Sequence, residues 1–332
     1  MMALQHAWYE NKKWVWLFLP LSILFFCISS VRRALYKLGV LASDKPNAFI
    51  IIVGNITVGG NGKTPTVIAI AEHLMQKGYR CGVLSRGYGG SQTSFPHFVS
   101  AADEPSLVGD EPKLMQHRLS CPVVIDPKRA RGAKFLVDAY QCDVIICDDG
   151  LQHYALERDF EIVVMDGRGL GNAKLLPMGP LRELPSRLKE VDVVLFNGQP
   201  NAALTIAEDK LATMVLEPNQ WVNVNTGEKC ATLPVIDDQV ATAIAGIGDP
   251  NRFFITLSKM GISCDKTIAF PDHYAYQLKD IPKGMVLMTE KDAVKCSSFA
   301  HDNCWYLQVS GNISANIYQL IDNKLKLLQQ QV

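Results

Sequence analysis

The chain has 332 residues, 48% of them apolar, which is enough for cores in two domains of ordinary size. Lys+Arg and Asp+Glu both number 33, so no global basic field points to nucleic acid. The nine cysteines are odd in number, scattered and never spaced C-x-x-C, which argues against a disulfide framework or a zinc site and fits a reducing compartment.

The N-terminus stands apart from the rest. Trp14 to Val31 carries no charge, with Lys12 and Lys13 before it and Arg32, Arg33 and Lys37 after it. As a helix this stretch is ~27 Å long, at the short end for spanning a bilayer. A cleaved signal peptide would send a nucleotide-binding chain to a compartment without ATP. A spanning anchor agrees with the basic flank, and a helix lying in the interface agrees with the aromatic residues around Trp8–Trp16. Pro20 and several serines weigh against spanning. Both membrane readings set the remainder of the chain against a lipid surface.

From residue 48 onward, strand and helix patterns alternate. Phe49–Val53 is a buried β-type run feeding Gly59-Gly60-Asn61-Gly62, and Lys63-Thr64 opens a helix whose apolar face holds Val67, Ile70, Ala71 and Leu74. This is the layout of a phosphate-binding loop. Backbone N–H groups curl around phosphates, Lys63 reaches the β/γ-phosphates, and the Thr64 hydroxyl ligates Mg²⁺. The helix directs its positive end at the same anion. Thr57 stands where G-x-x-x-x-G-K-[ST] has its first glycine, so the strict pattern fails at one position. Pro65 suits a first helical turn.

Further strands are expected at Cys81–Leu84, Val123–Ile125, Asp143–Cys147, Glu161–Met165 and Val191–Phe196, with helices at Asp110–Leu119 and Lys128–Tyr140. The pattern loosens over 198–238, which reads as a hairpin or extended connector. A second alternating block follows. Its strands are Val240–Ile244, Lys266–Ala269, Met285–Met288 and Trp305–Val309; its helices are Pro250–Met260 and Ile313–Leu328. Alternation of this kind implies parallel sheets covered on both faces. The expected fold is therefore α/β: a P-loop NTPase-like parallel-sheet domain (45–200), a connector (201–238) and a smaller α/β domain (239–332), preceded by a membrane-associated helical region (1–40).

Several polar groups end strands or open helices. Asp148 and Asp149 close the run Val144-Ile145-Ile146-Cys147, where carboxylates face a metal bound to the neighbouring phosphate loop. Gln152 and His153 either orient substrate or cap the turn. Asp110, after Gly109, is either a helix N-cap or a carboxylate that takes a proton from an attacking hydroxyl. Arg86, Arg129, Arg131 and Arg182 sit in or beside loops where phosphate oxygens need cations, and none is singled out by spacing alone. His273, beside Asp272, is either a proton relay or a satisfied loop histidine.

Eight stretches in order, VGNITVGGNGKTP, SRGYGG, VGDEP, DDGLQH, MGPLRE, AGIGDPNRFF, FPDHYAY and MTEKDAVK, resemble the tetraacyldisaccharide 4′-kinase (lipid A 4′-kinase) family of Gram-negative bacteria. The resemblance runs from residue 53 to 295 and includes the apolar N-terminus; the displaced first glycine is a feature of that family. It implies two α/β/α domains with the active site in the cleft between them. The implied reaction moves the γ-phosphate of ATP to the 4′-hydroxyl of an acylated glucosamine disaccharide 1-phosphate, giving lipid IV_A. Carried over, Thr57, Val58, Gly59, Gly60, Asn61, Gly62, Lys63 and Thr64 hold ATP, with Lys63 also catalytic. Thr64, Asp148 and Asp149 hold Mg²⁺, and Asp110 is the base, paired with His273. Arg86, Tyr88, Arg129, Gln152, His153 and Arg182 contact substrate or phosphate. The implied place is the cytoplasmic face of the inner membrane, with no nucleic acid and no obligate protein partner. The alternative from another class is a membrane-docked P-loop ATPase or switch.

Overall fold

The computed structural model describes residues 2–199, 204, 206–234 and 241–329. A helix, Met2–Tyr9 (α1), and a 3-10 turn, Lys13–Phe18, precede a longer helix, Leu19–Lys37 (α2). Pro20 explains the break, because it lacks an N–H and is accommodated in the first turn of α2. The expected apolar helix therefore begins later than Trp14. The segment Lys13–Lys37 is long and apolar enough to cross a membrane by length and composition.

In the first half the strands are Phe49–Gly54 (β1), Cys81–Ser85 (β2), His97–Phe98 (β3), Val123–Ile125 (β4), Val144–Asp148 (β5), Phe160–Asp166 (β6) and Val193–Asn197 (β7). Helices Lys63–Gln76 (α3), Pro105–Val108 (α4), Asp110–Arg118 (α5) and Arg129–Tyr140 (α6) connect them. Strands β1, β2, β4, β5, β6 and β7 run parallel, and every residue of β1 is buried, as its apolar run requires. Register places Val53 of β1 beside Asp148 of β5, so the phosphate loop and the paired aspartates leave adjacent strand ends.

The rest of the chain extends the same sheet. Leu211–Asn223 (β8) pairs parallel with β7, and Lys229–Cys230 (β9) pairs with β8. Ala241–Ala245 (β10), Lys266–Ala269 (β11), Met285–Thr289 (β12) and Cys304–Ile313 (β13) form a second parallel block, with helices Pro250–Lys259 (α7) and Glu290–Cys296 (α8). The two blocks meet where β8 and β13 pair antiparallel. The segment read as a connector thus contains a long strand at the seam of the sheet; its residues 201–203, 205 and 235–238 lie outside the described residues, as does Val240 of the next expected strand. Helix α8 was not anticipated; Thr289 caps it, its side chain accepting from the Asp292 N–H. The final helix, Ala315–Gln329 (α9), starts after Ile313, which ends β13. Its Ile317, Ile321 and Leu325 join Val67, Ile70 and Leu74 in the core of the first half. The chain's last helix therefore packs back against the helix that follows the phosphate loop.

Candidate active site

The phosphate loop is held from both sides. Gly62 has φ +97°, and a Cβ there would sit 2.5 Å from the Asn197 amide nitrogen. Only glycine supplies that backbone without strain and that space without a clash. The Asn61 amide donates to the Thr57 hydroxyl at 2.9 Å, and Asn197 donates to the Asn61 carbonyl at 3.2 Å. Arg168 donates to the Gly60 carbonyl at 2.8 Å and to the Asn61 side chain at 2.9 Å. Val58 packs against Trp8, Val15 and Met178, and its N–H donates to the Pro180 carbonyl at 2.9 Å. Thr57 pairs with Leu181, which brings Arg182 to the loop.

Lys63 opens α3 with its side chain largely buried, and its ammonium lies 3.8 Å from Asp149 Oδ1. Arg182 grips both Asp149 oxygens at 3.0 Å. Burial works against the Asp149 anion, yet Lys63 and Arg182 outweigh it and hold the carboxyl below its usual range. Asp148 is fully buried. Burial first, then the field of Glu111, pushes its carboxyl up to about 7 against the pull of Lys63. Its Oδ1 has no hydrogen-bond partner. A buried carboxylate oxygen left unpaired beside a phosphate-binding lysine is what a hard cation would satisfy. Among the described residues no group of three or more His, Cys, Asp or Glu forms a metal site by itself. The oxygen donors of Thr64, Asp148 and Asp149 are of the kind a hard cation such as Mg²⁺ takes.

The other expected residues fall around this centre. Asp110, first residue of α5, lies 3.0 Å through Oδ2 from His273 Nδ1, across the cleft between the two strand blocks. Burial raises the Asp110 carboxyl, but the His273 hydrogen bond and the Lys295 and Lys291 charges together hold it below the usual range. The exposed Tyr88 ring stands edge-on to His273, centroids 5.6 Å apart. Arg129 is buried and donates to the Asp148 carbonyl at 2.6 Å, whereas Arg131 turns away to Asp126. Burial, with Arg129, Arg86 and Arg32 nearby, pushes the His153 imidazole down to about 4, so it is neutral near pH 7. Gln152 is already engaged: its amide donates to the Asn55 carbonyl at 3.1 Å and to Glu183 at 2.7 Å.

A cleft of about 300 Å³ runs from Gly60–Thr64 past Asp166 and Asn197 to Arg252 of α7 and Lys291 of α8. Sequence reasoning passed over Arg168, Asn197, Arg252, Glu111 and Lys291. The Arg252 side chain donates to Asn197 at 2.6 Å, and Lys291 bridges Glu111 and Asp272 at 3.2 Å each. The stretches MTEKDAVK and AGIGDPNRFF carried two of them, but strand-end position alone gave neither a role.

A parallel sheet with a phosphate loop, an adjacent acidic pair and an acid–histidine pair closing over them defines a P-loop phosphotransferase. A model of the family Tetraacyldisaccharide-1-P 4′-kinase (LpxK) matches residues 14–326. A tetraacyldisaccharide 4′-kinase from Pseudoalteromonas atlantica is 51% identical over 309 residues, covering 93% of this chain and 99% of the relative. One from Haemophilus influenzae is 48% identical, covering 92% and 91%. A solved structure of LpxK from Aquifex aeolicus in complex with ATP superposes with a TM-score of 0.79 at 30% identity, covering 93% of this chain and 98% of that one. The chain belongs to the tetraacyldisaccharide-1-P 4′-kinase family. It is an ATP-dependent lipid A 4′-kinase, which sets aside the switch ATPase reading.

Proposed function

We propose that the chain phosphorylates the 4′-hydroxyl of an acylated glucosamine disaccharide 1-phosphate at the cytoplasmic face of the inner membrane, with Asp110 as the proton acceptor. The observation that carries this reading is the Asp110–His273 contact, made between the two strand blocks beside the cleft that Lys63 lines. Bound ATP brings the phosphoryl group and Mg²⁺ the charge neutralisation. The chain's own residues do the rest. Gly59–Lys63 cradle the phosphates, Lys63 neutralises their oxygens, and Thr64, Asp148 and Asp149 hold the metal. Asp110 orients the sugar hydroxyl and takes its proton as the new O–P bond forms and the bond from the γ-phosphorus to the departing ADP oxygen breaks; His273, hydrogen-bonded to Asp110, fixes that carboxylate. Because the pair spans the cleft, the site is complete only when the two blocks are together, which limits loss of ATP to water.

The lipid side of the reading rests on α2. Leu21, Leu24, Ile28 and Val31 of α2 form an exposed apolar stripe at helical spacing. The helix is tied to the body near both ends. Ser22 donates to the Leu175 carbonyl at 3.0 Å, and Arg33 and Lys37 pair with Glu190. A helix pinned this way lies along the protein and presents its stripe sideways, which favours seating in the interface over crossing it. The test is phosphate transfer from γ-labelled ATP to tetraacyldisaccharide 1-phosphate in the presence of Mg²⁺. Label at the 4′ position, nearly abolished in folded Asp110→Asn, is expected; full transfer by that variant would remove Asp110 from its role.

A further inference from the structure

Five polar residues, Asp110, Glu111, Asp272, His273 and Lys291, close a ring across the cleft. The Asp110 carboxylate meets the His273 ring at 3.0 Å, and the His273 backbone N–H donates to Asp272 Oδ1 at 3.1 Å. The Lys291 ammonium then joins Asp272 Oδ1 to Glu111 Oε1 at 3.2 Å each, and Glu111 follows Asp110 on α5. Two members come from α5 in one strand block, two from the loop after β11 and one from α8 in the other. Lys291 is the ring's only permanent cation. Burial favours its neutral form, but Glu111, Asp272 and Asp110 outweigh burial and keep it protonated. It also lines the cleft that holds Gly60–Thr64.

We propose that Lys291 is a positioning residue for phosphoryl transfer: by bridging Glu111 to Asp272 it fixes the loop carrying His273 against Asp110. Asp110, Glu111 and Asp272 gather at one corner of the cleft, and the Lys291 ammonium bonds two of the three. The groups acting on Asp110 are His273 on the loop and Lys295 and Lys291 on α8, while Glu111 follows it on α5 and Asp272 precedes His273. Without Lys291, the cation that contacts both remaining carboxylates is lost, Asp110 is pressed toward its neutral form, and the cross-cleft loop loses its tether. A neutral Asp110 cannot accept the hydroxyl proton.

The inference rests on Asp110 as base, and the experiment keeps the two apart. Turnover of tetraacyldisaccharide 1-phosphate with Mg²⁺ and ATP is measured against pH for the full-length wild type, Lys291→Met, Lys291→Arg, Asp110→Asn and the Lys291→Met/Asp110→Asn double variant. Lys291→Met should lower kcat by about tenfold or more and move the acid limb upward by about one pH unit. Lys291→Arg should leave the limb at its wild-type position. In the Asp110→Asn background, Lys291→Met should cost no more than about threefold further, because the two act as one unit. An unmoved acid limb in Lys291→Met, or a full multiplicative loss in the double variant, would overturn the proposal. If Lys291→Met does not fold, Lys291→Gln, which keeps length and polarity, carries the same comparison. Asp110→Asn with undiminished turnover would instead strike the base assignment.

Discussion

Nδ1 of His273 lies 3.0 Å from Oδ2 of Asp110, a residue 163 positions earlier in the chain. His273 has φ +58°, a backbone state that non-glycine residues rarely adopt, so its loop is shaped to deliver the ring. The contact lowers the Asp110 proton affinity. His273→Asn is therefore expected to do two things: reduce kcat by about 10²-fold, as loss of part of an acid–base unit does, and shift the acid limb to higher pH as Asp110 relaxes upward. The sign matters. A drop in rate with the limb in place, or with the limb moved down, would mean His273 acts on something other than Asp110.

Gly62 tests the loop independently of proton transfer. Alanine there meets both a left-handed backbone and the Asn197 amide 2.5 Å from its Cβ. To fit, Asn197 must move, and it holds the Asn61 carbonyl at 3.2 Å and accepts from Arg252. Gly62→Ala should weaken ATP binding by about tenfold or more, read by equilibrium titration with a fluorescent ATP analogue; the strain alone is worth about 1 kcal/mol or more. Unchanged affinity would show that the phosphates do not approach this turn.

Much of this site is legible in the amino-acid sequence. Glycine at 59, 60 and 62 followed by Lys63-Thr64 fixes a local conformation, and local conformation is what sequence spacing encodes. Asp148-Asp149 was legible for the same reason, since a strand end next to β1 was implied by alternation. The Asp110–His273 pair was not, because nothing in spacing relates residues that far apart; the family resemblance supplied it. The seam between β8 and β13 escaped for a similar reason: antiparallel pairing joins segments about a hundred residues apart, and Leu211–Asn223 alternates too weakly to announce itself. Lys291 read as one more polar residue at a strand end, because its value lies in Glu111 and Asp272, which come from elsewhere in the chain.

Asp148 should show a trade between stability and activity. Its folded-state carboxyl, raised to about 7, lies above its ordinary value of about 4. A group raised on folding leaves stability intact below the unfolded value and withdraws it as pH climbs through the folded one. In protein free of nucleotide and Mg²⁺, Asp148→Asn should therefore melt higher than wild type at pH 8. The gap should shrink through pH 7 to 4 and vanish below. The same variant should lose phosphate transfer. A melting difference independent of pH would refute the raised carboxyl.

The stripe on α2 makes the last prediction. Leu24 and Ile28 are 55% and 60% exposed although both are large and apolar, and both lie between the tethers at Ser22 and Arg33. Neither side chain supports the protein core, so changing them leaves the fold and the nucleotide cleft in place. Burying each in a lipid interface is worth about 1.5–3 kcal/mol, and a carboxylate forfeits that and adds repulsion from anionic headgroups. Leu24→Glu/Ile28→Glu should reduce co-sedimentation with phosphatidylethanolamine–phosphatidylglycerol vesicles by about 10²-fold or more while ATP affinity in solution stays the same. If the double variant still sediments with vesicles like wild type, the stripe does not face lipid. Turnover on substrate dispersed in detergent, where docking on a bilayer is not required, should fall far less than turnover on vesicles. That difference separates loss of docking from damage to the catalytic centre.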